Sequence, residues 1–116
     1  MKLEVSGLAP LPDGRLAIAI RKGEIWIADQ TSHPESTLYT PFAKGLHEPL
    51  GLAFHKDALY TVQRTELTRI RDLDHDGIAD EYWTVAKGWG VTGNYHEYAY
   101  GPQFDLEGHA WITLNI

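Results

Sequence analysis

GLAPLPDGRLAIAIRKGEIWIAD (residues 7–29) lies over GLAFHKDALYTVQRTELTRIRD (residues 51–72) with one deletion. Gly7, Leu8, Ala9 and Asp13 meet Gly51, Leu52, Ala53 and Asp57, and Leu16 and Ile27 meet Leu59 and Ile70. A third copy begins at EYAYGPQFDLEGHAWITLN (97–115), with Ala99 in the place of Ala53 and Trp111 in that of Tyr60. Apolar residues in these copies alternate with polar ones or form short runs rich in Ile, Val, Thr, Tyr and Trp, which is the signature of strands. The repeat spacing of about 43–46 residues is the length of one four-stranded propeller blade.

Outward from that repeat, nine short strands are predicted: RLAIAI, EIWIA, TLYTPF, LGLAF, ALYTV, LTRI, EYWTV, EYAY and HAWITL. Asp13-Gly14, Lys22-Gly23, Lys56-Asp57 and Glu107-Gly108 punctuate them as hairpin turns. The expected fold is all-β, a β-propeller fragment of about two and a half four-stranded blades. Residues 4–45 and 50–88 form two blades, and 97–116 the two inner strands of a third. Closure of a propeller usually takes about four to eight blades. The expectation is therefore a piece of a larger propeller, or a protomer that completes one by association. The remaining blades, in cis or in trans, are the expected partners. The strand running into TLNI (113–116) favours a piece.

Composition narrows the function classes. Hydrophobic residues make up 43% and charged residues 22%, which reads as globular rather than disordered. No apolar run reaches 18 residues, so no membrane insertion by a helix is expected. MKLEVSGLAPLPDG holds one Lys and no sustained apolar core, so it is no secretory signal. The absence of Cys removes disulfides, thiolate metal sites, haem attachment and Cys nucleophiles. A net charge of −6 argues against nucleic acid and anionic membranes as partners.

The charge is concentrated in RDLDHDGIADEYW (71–83). Asp72, Asp74 and Asp76 alternate, Gly77 follows for a turn, Ile78 offers a main-chain carbonyl, and Asp80 comes two residues later. This matches the front half of an EF-hand loop, in which side chains two apart curl round one hard cation. Position 12 is Trp83 rather than a bidentate Glu, and no helices flank the loop, so the expectation is a short inter-strand Ca²⁺ loop. Glu81 stands at its rim and His75 points away. The loop joins the third and fourth strands of its blade, on the face opposite the funnel, so its Ca²⁺ is structural. The bland alternative is a solvated acidic turn.

The funnel face carries a different set. AKGLHEPLG (43–51) and AKGWGVTGNYHEYAYGP (86–102) both begin Ala-Lys-Gly and both carry His-Glu, and QRTE (63–66) reaches the same face. Neighbours in extended chain point opposite ways, so either His47 and His96 line the channel or Glu48 and Glu97 do. A histidine titrating near neutrality suits the proton acceptor needed when an alcohol carbon is oxidised, and Arg64 suits a carboxylate or anionic cofactor. His96 and Arg64 are thus the catalytic candidates, and His47, Gln63 and Tyr95 the cofactor-binding ones. Three have a structural alternative: a capped loop histidine for His96, a pair with Glu66 or Glu48 for Arg64, and packing between blades for Tyr95.

PDGRLAIAIRKGEIW, GLHEPLGLAF, the run from LYTVQRTELTRIRDLDHDGIADEYW to YHEYAYGP, and WITLN closely resemble the N-terminal blades of a bacterial propeller family. Its large members are described as glucose/sorbosone dehydrogenase-like or membrane-bound dehydrogenase-like, and many carry a C-terminal cytochrome c domain. The resemblance implies a six-bladed, periplasmic or secreted propeller and sugar oxidation with pyrroloquinoline quinone. It places His96 ahead of Tyr100-Gly101-Pro102, where soluble quinoprotein sugar dehydrogenases have a catalytic His before FGPDG, although His96 stands nearer the Gly-Pro. Three functions stay open: a segment of a quinone-dependent sugar dehydrogenase, inactive alone; a Ca²⁺-stabilised module that binds carbohydrate or protein; and a self-assembling protomer.

Overall fold

The computed structural model describes residues 4–30, 36–63, 66–87 and 98–115. Among these there are ten strands and no helix. The first sheet has strand order β1-β2-β3-β4, with β1 Val5–Pro10, β2 Leu16–Ile20, β3 Glu24–Asp29 and β4 Leu38–Ala43. The second repeats it as β5 Ala53–His55, β6 Ala58–Val62, β7 Glu66–Arg71 and β8 Glu81–Lys87. A third pair, β9 Tyr98–Phe104 and β10 Ala110–Asn115, begins the next blade. All pairings are antiparallel between consecutive strands. The chain is all-β and a propeller segment.

The tenth strand is β1, absent from the nine expected because Gly7 and Pro10 dilute its strand signal. It forms because Leu8, Ala9 and Pro10 pair with Ile18, Ala17 and Leu16. Its Ser6 carbonyl accepts the Gly51 N–H at 2.8 Å, and the Leu50 carbonyl accepts the Gly101 N–H at 3.1 Å. Gly7, Gly51 and Gly101 thus form a staircase where the inner strands converge. A Cβ on Gly7 would lie 2.6 Å from the Gly51 carbonyl carbon, and one on Gly51 would strike the Gly101 carbonyl. Gly51 also holds φ +98°, where a side chain is strained.

This staircase corrects the repeat alignment in two places. Ala53 pairs with Tyr60, as Gln103 pairs with Trp111, so Gln103 and not Ala99 takes the place of Ala53. The equivalence of Trp111 and Tyr60 stands. Likewise Ala17 faces Ile27 while Tyr60 faces Arg69, so Arg69 and not Ile70 is the counterpart of Ile27. One residue fewer lies between Tyr60 and Arg69 than between Ala17 and Ile27, and a one-residue slip turns a side chain to the other face. Ile27 and Ile70 are both buried, but they meet across the boundary between blades instead of repeating within them.

That boundary is the main core. Ala9, Ala17, Ala19, Ile25, Ile27 and Ala43 of the first blade pack against Leu52, Leu59 and Ile70 of the second, with Leu46 from the connection. Small residues on β1 and β2 let the sheets approach, while β-branched side chains fill the outer part. A smaller cluster of Val62 and Leu67, with Tyr60 and Ile112 against it, joins the second blade to the third.

Candidate functional site

The acidic loop follows β7 and returns to β8, held by the Asp80 N–H on the Arg71 carbonyl at 2.9 Å. Its carboxylates fold the main chain around themselves. Asp72 accepts the N–H groups of Gly77 at 2.8 Å and Asp76 at 3.3 Å, and Asp80 accepts those of Leu73 at 2.9 Å and Asp74 at 3.2 Å. Asp76 accepts the Ile78 N–H at 2.9 Å. Gly77 takes φ +89° and His75 +59°, which turns the chain tightly enough for this wrap. One oxygen from each of Asp72, Asp74, Asp76 and Asp80 lies within 4.8 Å of the others.

Four carboxylates this close repel unless a proton or cation intervenes. Desolvation, then the hydrogen bonds shared with Asp80 and Asp72 and the Asp76 charge, push Asp74 up to about 6. Asp72 shifts the other way: desolvation opposes it, but the N–H groups of Gly77, Asp76 and His75 and the Asp74 side chain hold it low. Asp74 therefore takes up a proton more readily than an ordinary carboxyl as pH falls toward about 6, and a cation would compete with that proton. The donor set consists of hard oxygens at alternating positions, which fits Ca²⁺ rather than a thiophilic metal. The Ile78 side chain is exposed, leaving its carbonyl as its contribution. His75 and Leu73 line a neighbouring cleft instead of the cluster.

The loop also reaches the first blade. The Ala79 N–H donates to the Phe42 carbonyl at 2.9 Å, and the Lys44 N–H donates to the Tyr82 hydroxyl at 3.2 Å. Ala79 packs against the main core. Between the blades on this face lies a cleft of about 590 Å³, floored by Leu11, Ile27, Phe54 and Ile70 and rimmed by Asp13, Arg15 and Asp72. Neither Ala79 nor Tyr82 carries a spacing signal that reveals this contact.

On the funnel face, the His47 N–H donates to Gln63 Oε1 at 2.5 Å. Gln63 Nε2 donates to the Thr68 hydroxyl at 2.7 Å, which donates to Glu66 Oε2 at 2.9 Å, and the Thr84 hydroxyl donates to the same oxygen at 2.7 Å. Gln63 is thereby tied to the β6–β7 turn, and the His47 side chain is exposed. Glu48 takes φ +46°, so this segment is not extended and simple alternation does not apply. Its Oε2 is buried with no hydrogen-bond partner among the described residues, which makes Glu48 a polar group at this face that spacing does not reveal. Arg64, Tyr95, His96 and Glu97 lie outside the described residues.

Residues 22–115 match the family model described as a domain of unknown function, DUF7133. The chain belongs to that family. No curated protein matches the DUF7133 chain. Its structure is similar to a crystal structure from Thermus thermophilus, provisionally described as an oxidoreductase (glucose dehydrogenase). The two share 25% identity and a TM-score of 0.75 over 97% of this chain. The DUF7133 chain spans 37% of that protein's length. It is thus a propeller segment related in fold to a dehydrogenase-like protein.

Proposed function

We propose that this chain is a Ca²⁺-stabilised segment of a propeller that, when its ring is complete, oxidises a sugar or related alcohol with a quinone cofactor. The observation that carries the metal is the cluster of Asp72, Asp74, Asp76 and Asp80 oxygens within 4.8 Å. These residues and the Ile78 carbonyl would hold Ca²⁺, which supplies charge neutralisation and rigidity, not chemistry on a substrate. Its place on the β7–β8 loop, opposite the funnel, supports the structural role. Support for oxidation comes from the dehydrogenase-like relative. Pyrroloquinoline quinone would approach the funnel face, where Arg64, Tyr95 and His96 belong in sequence and Glu48 presents its buried oxygen. The quinone would accept the hydride equivalent from the alcohol carbon, and a base would take the hydroxyl proton, the role proposed for His96. The resemblance to exported dehydrogenase-like proteins supports a periplasmic or secreted location.

Thermal melting with and without Ca²⁺ tests the metal. Saturating Ca²⁺ raises Tm, and Asp74→Ala abolishes the rise; an unchanged Tm refutes the site. Reconstitution of the 116-residue chain with pyrroloquinoline quinone and a dye acceptor gives no aldose oxidation. Turnover there would refute the reading that the segment needs further blades.

A further inference from the structure

The second blade presents to the third a face with a charged patch at its outer half. Tyr60, Arg69 and Trp83 stand opposite one another across β6, β7 and β8, and Arg71 stands opposite Glu81 on the same face. The inner half of that face is covered by the third blade. Phe104 stacks on His55 at 4.1 Å and meets Tyr60 edge-on at 4.9 Å, and Ile112 packs on Val62 and Leu67. The outer half is uncovered: Trp83 is 58% and Val85 47% exposed.

The boundary between the first two blades shows what belongs there. By strand register, Ile27, Thr40 and Phe42 are the counterparts of Arg69, Trp83 and Val85, with Phe42 and Val85 at the same bulge. Ile27 shares the core with Leu59 and Ile70 of the following blade, and the Phe42 carbonyl accepts the Ala79 N–H of its outer loop. The outer strand pair of the next blade is therefore the body that covers the Ile27 and Phe42 positions, while Thr40 at the rim stays exposed. We propose that Arg69, Arg71, Trp83 and Val85 form the docking face for the outer strand pair of a following blade, and that this pair carries a carboxylate over Arg69. The proposal rests on the reading that further blades complete the ring; it does not depend on Ca²⁺.

Charge and space specify the carboxylate. Arg69 and Arg71 share one acid, Glu81, at 3.2 Å and 2.6 Å, so the patch holds one positive charge in surplus. Arg69 Nε is buried and has no acceptor among the described residues. A buried donor left unpaired is costly, and a charged acceptor is the strongest remedy. The third blade has Ala110 opposite Phe104, where the second has Leu59 opposite Phe54, so it presents only a methyl group where its counterpart fills the boundary. An acidic side chain from the next strand takes the position that Ile70 takes over Ile27. The exposed indole of Trp83 and side chain of Val85 need apolar cover beside it.

The test continues the chain after Thr113, the counterpart of Val62, with a copy of its own residues 63–87, the third and fourth strands of a blade. In the copy, the position of Ile70 is Glu, Ile or Lys, and the position of Trp83 is Phe, so only the original Trp83 is read. Experiments run in EDTA, which separates the outcome from the metal. Hydroxyl-radical footprinting should show Trp83 oxidised several-fold more slowly in the Glu version than in the parent chain. The Glu version should melt above the Lys version, and Arg69→Met should remove that difference. Trp83 equally reactive in every version, or Lys and Glu versions equally stable, would overturn the proposal. So would a concentration-dependent dimer of the parent chain that protects Trp83, because the face would then belong to a second copy.

Discussion

At the boundary between the first and second blades, Ala9, Leu11, Ala17 and Ile27 occupy positions that Ala53, His55, Tyr60 and Arg69 occupy between the second and third. The main-chain frame is the same: Gly51 and Gly101 each donate to a carbonyl at the inner edge of the preceding blade. The side-chain chemistry is not. The first boundary excludes water from a continuous aliphatic core. The second stacks aromatic rings over its inner half and leaves beside them, uncovered, a guanidinium pair on one carboxylate of the second blade. Apolar contact without directionality holds the first boundary whatever the pH or salt, whereas the second depends on ionisation and on further cover.

The sharpest way to break this contrast is to cut each boundary at its centre. Ile70→Ala should cost about 2–5 kcal/mol in denaturant unfolding, the usual range for an aliphatic side chain lost from a core. Arg69→Met should change stability by less than about 1 kcal/mol, since a partly exposed ion pair contributes little. Equal losses would show the two boundaries to be energetically alike. Tyr82→Phe removes one hydrogen bond of the loop's contact with the first blade and should cost about 0.5–1.5 kcal/mol. Amide exchange at Lys44 should speed up with it; an unaltered rate would dissociate Tyr82 from that contact.

The smallest effect expected is one of pH. The Arg71 hydrogen bond and charge, helped by Arg69, hold Glu81 below its ordinary value of 4.5. A depressed carboxyl contributes stability that is present above 4.5 and lost as pH falls through its lower folded value. Acid titration followed by NMR at the Trp83 indole, which stands opposite Arg69 on β8, should report loss of this ion pair in that window. Glu81→Gln should flatten the response; an unchanged profile would remove the ion pair from the account.

The sequence made the blades legible because their spacing, turn residues and alternation agree locally. The acidic cluster was legible for the same reason, since all four aspartates lie within nine consecutive residues. Register was harder. A pairing register tighter by one residue put Arg69 in the place of Ile27, and two buried isoleucines from opposing faces then looked like a repeat. Ala99 misled similarly, because Gly101 rather than Ala99 follows the staircase set by Gly7 and Gly51. The Glu48 conformation was hidden as well: left-handed main chain at a non-glycine residue is imposed by surroundings.

Calorimetric titration of Ca²⁺ into the chain tests the acidic loop most directly. One site per chain is expected at pH 7, with binding weakening as pH falls through about 6 and Asp74 regains its proton. Asp72→Asn with Asp76→Asn should abolish the heat while the far-ultraviolet strand signal persists. No saturable heat at pH 7, or the same heat in the double variant, would contradict the account.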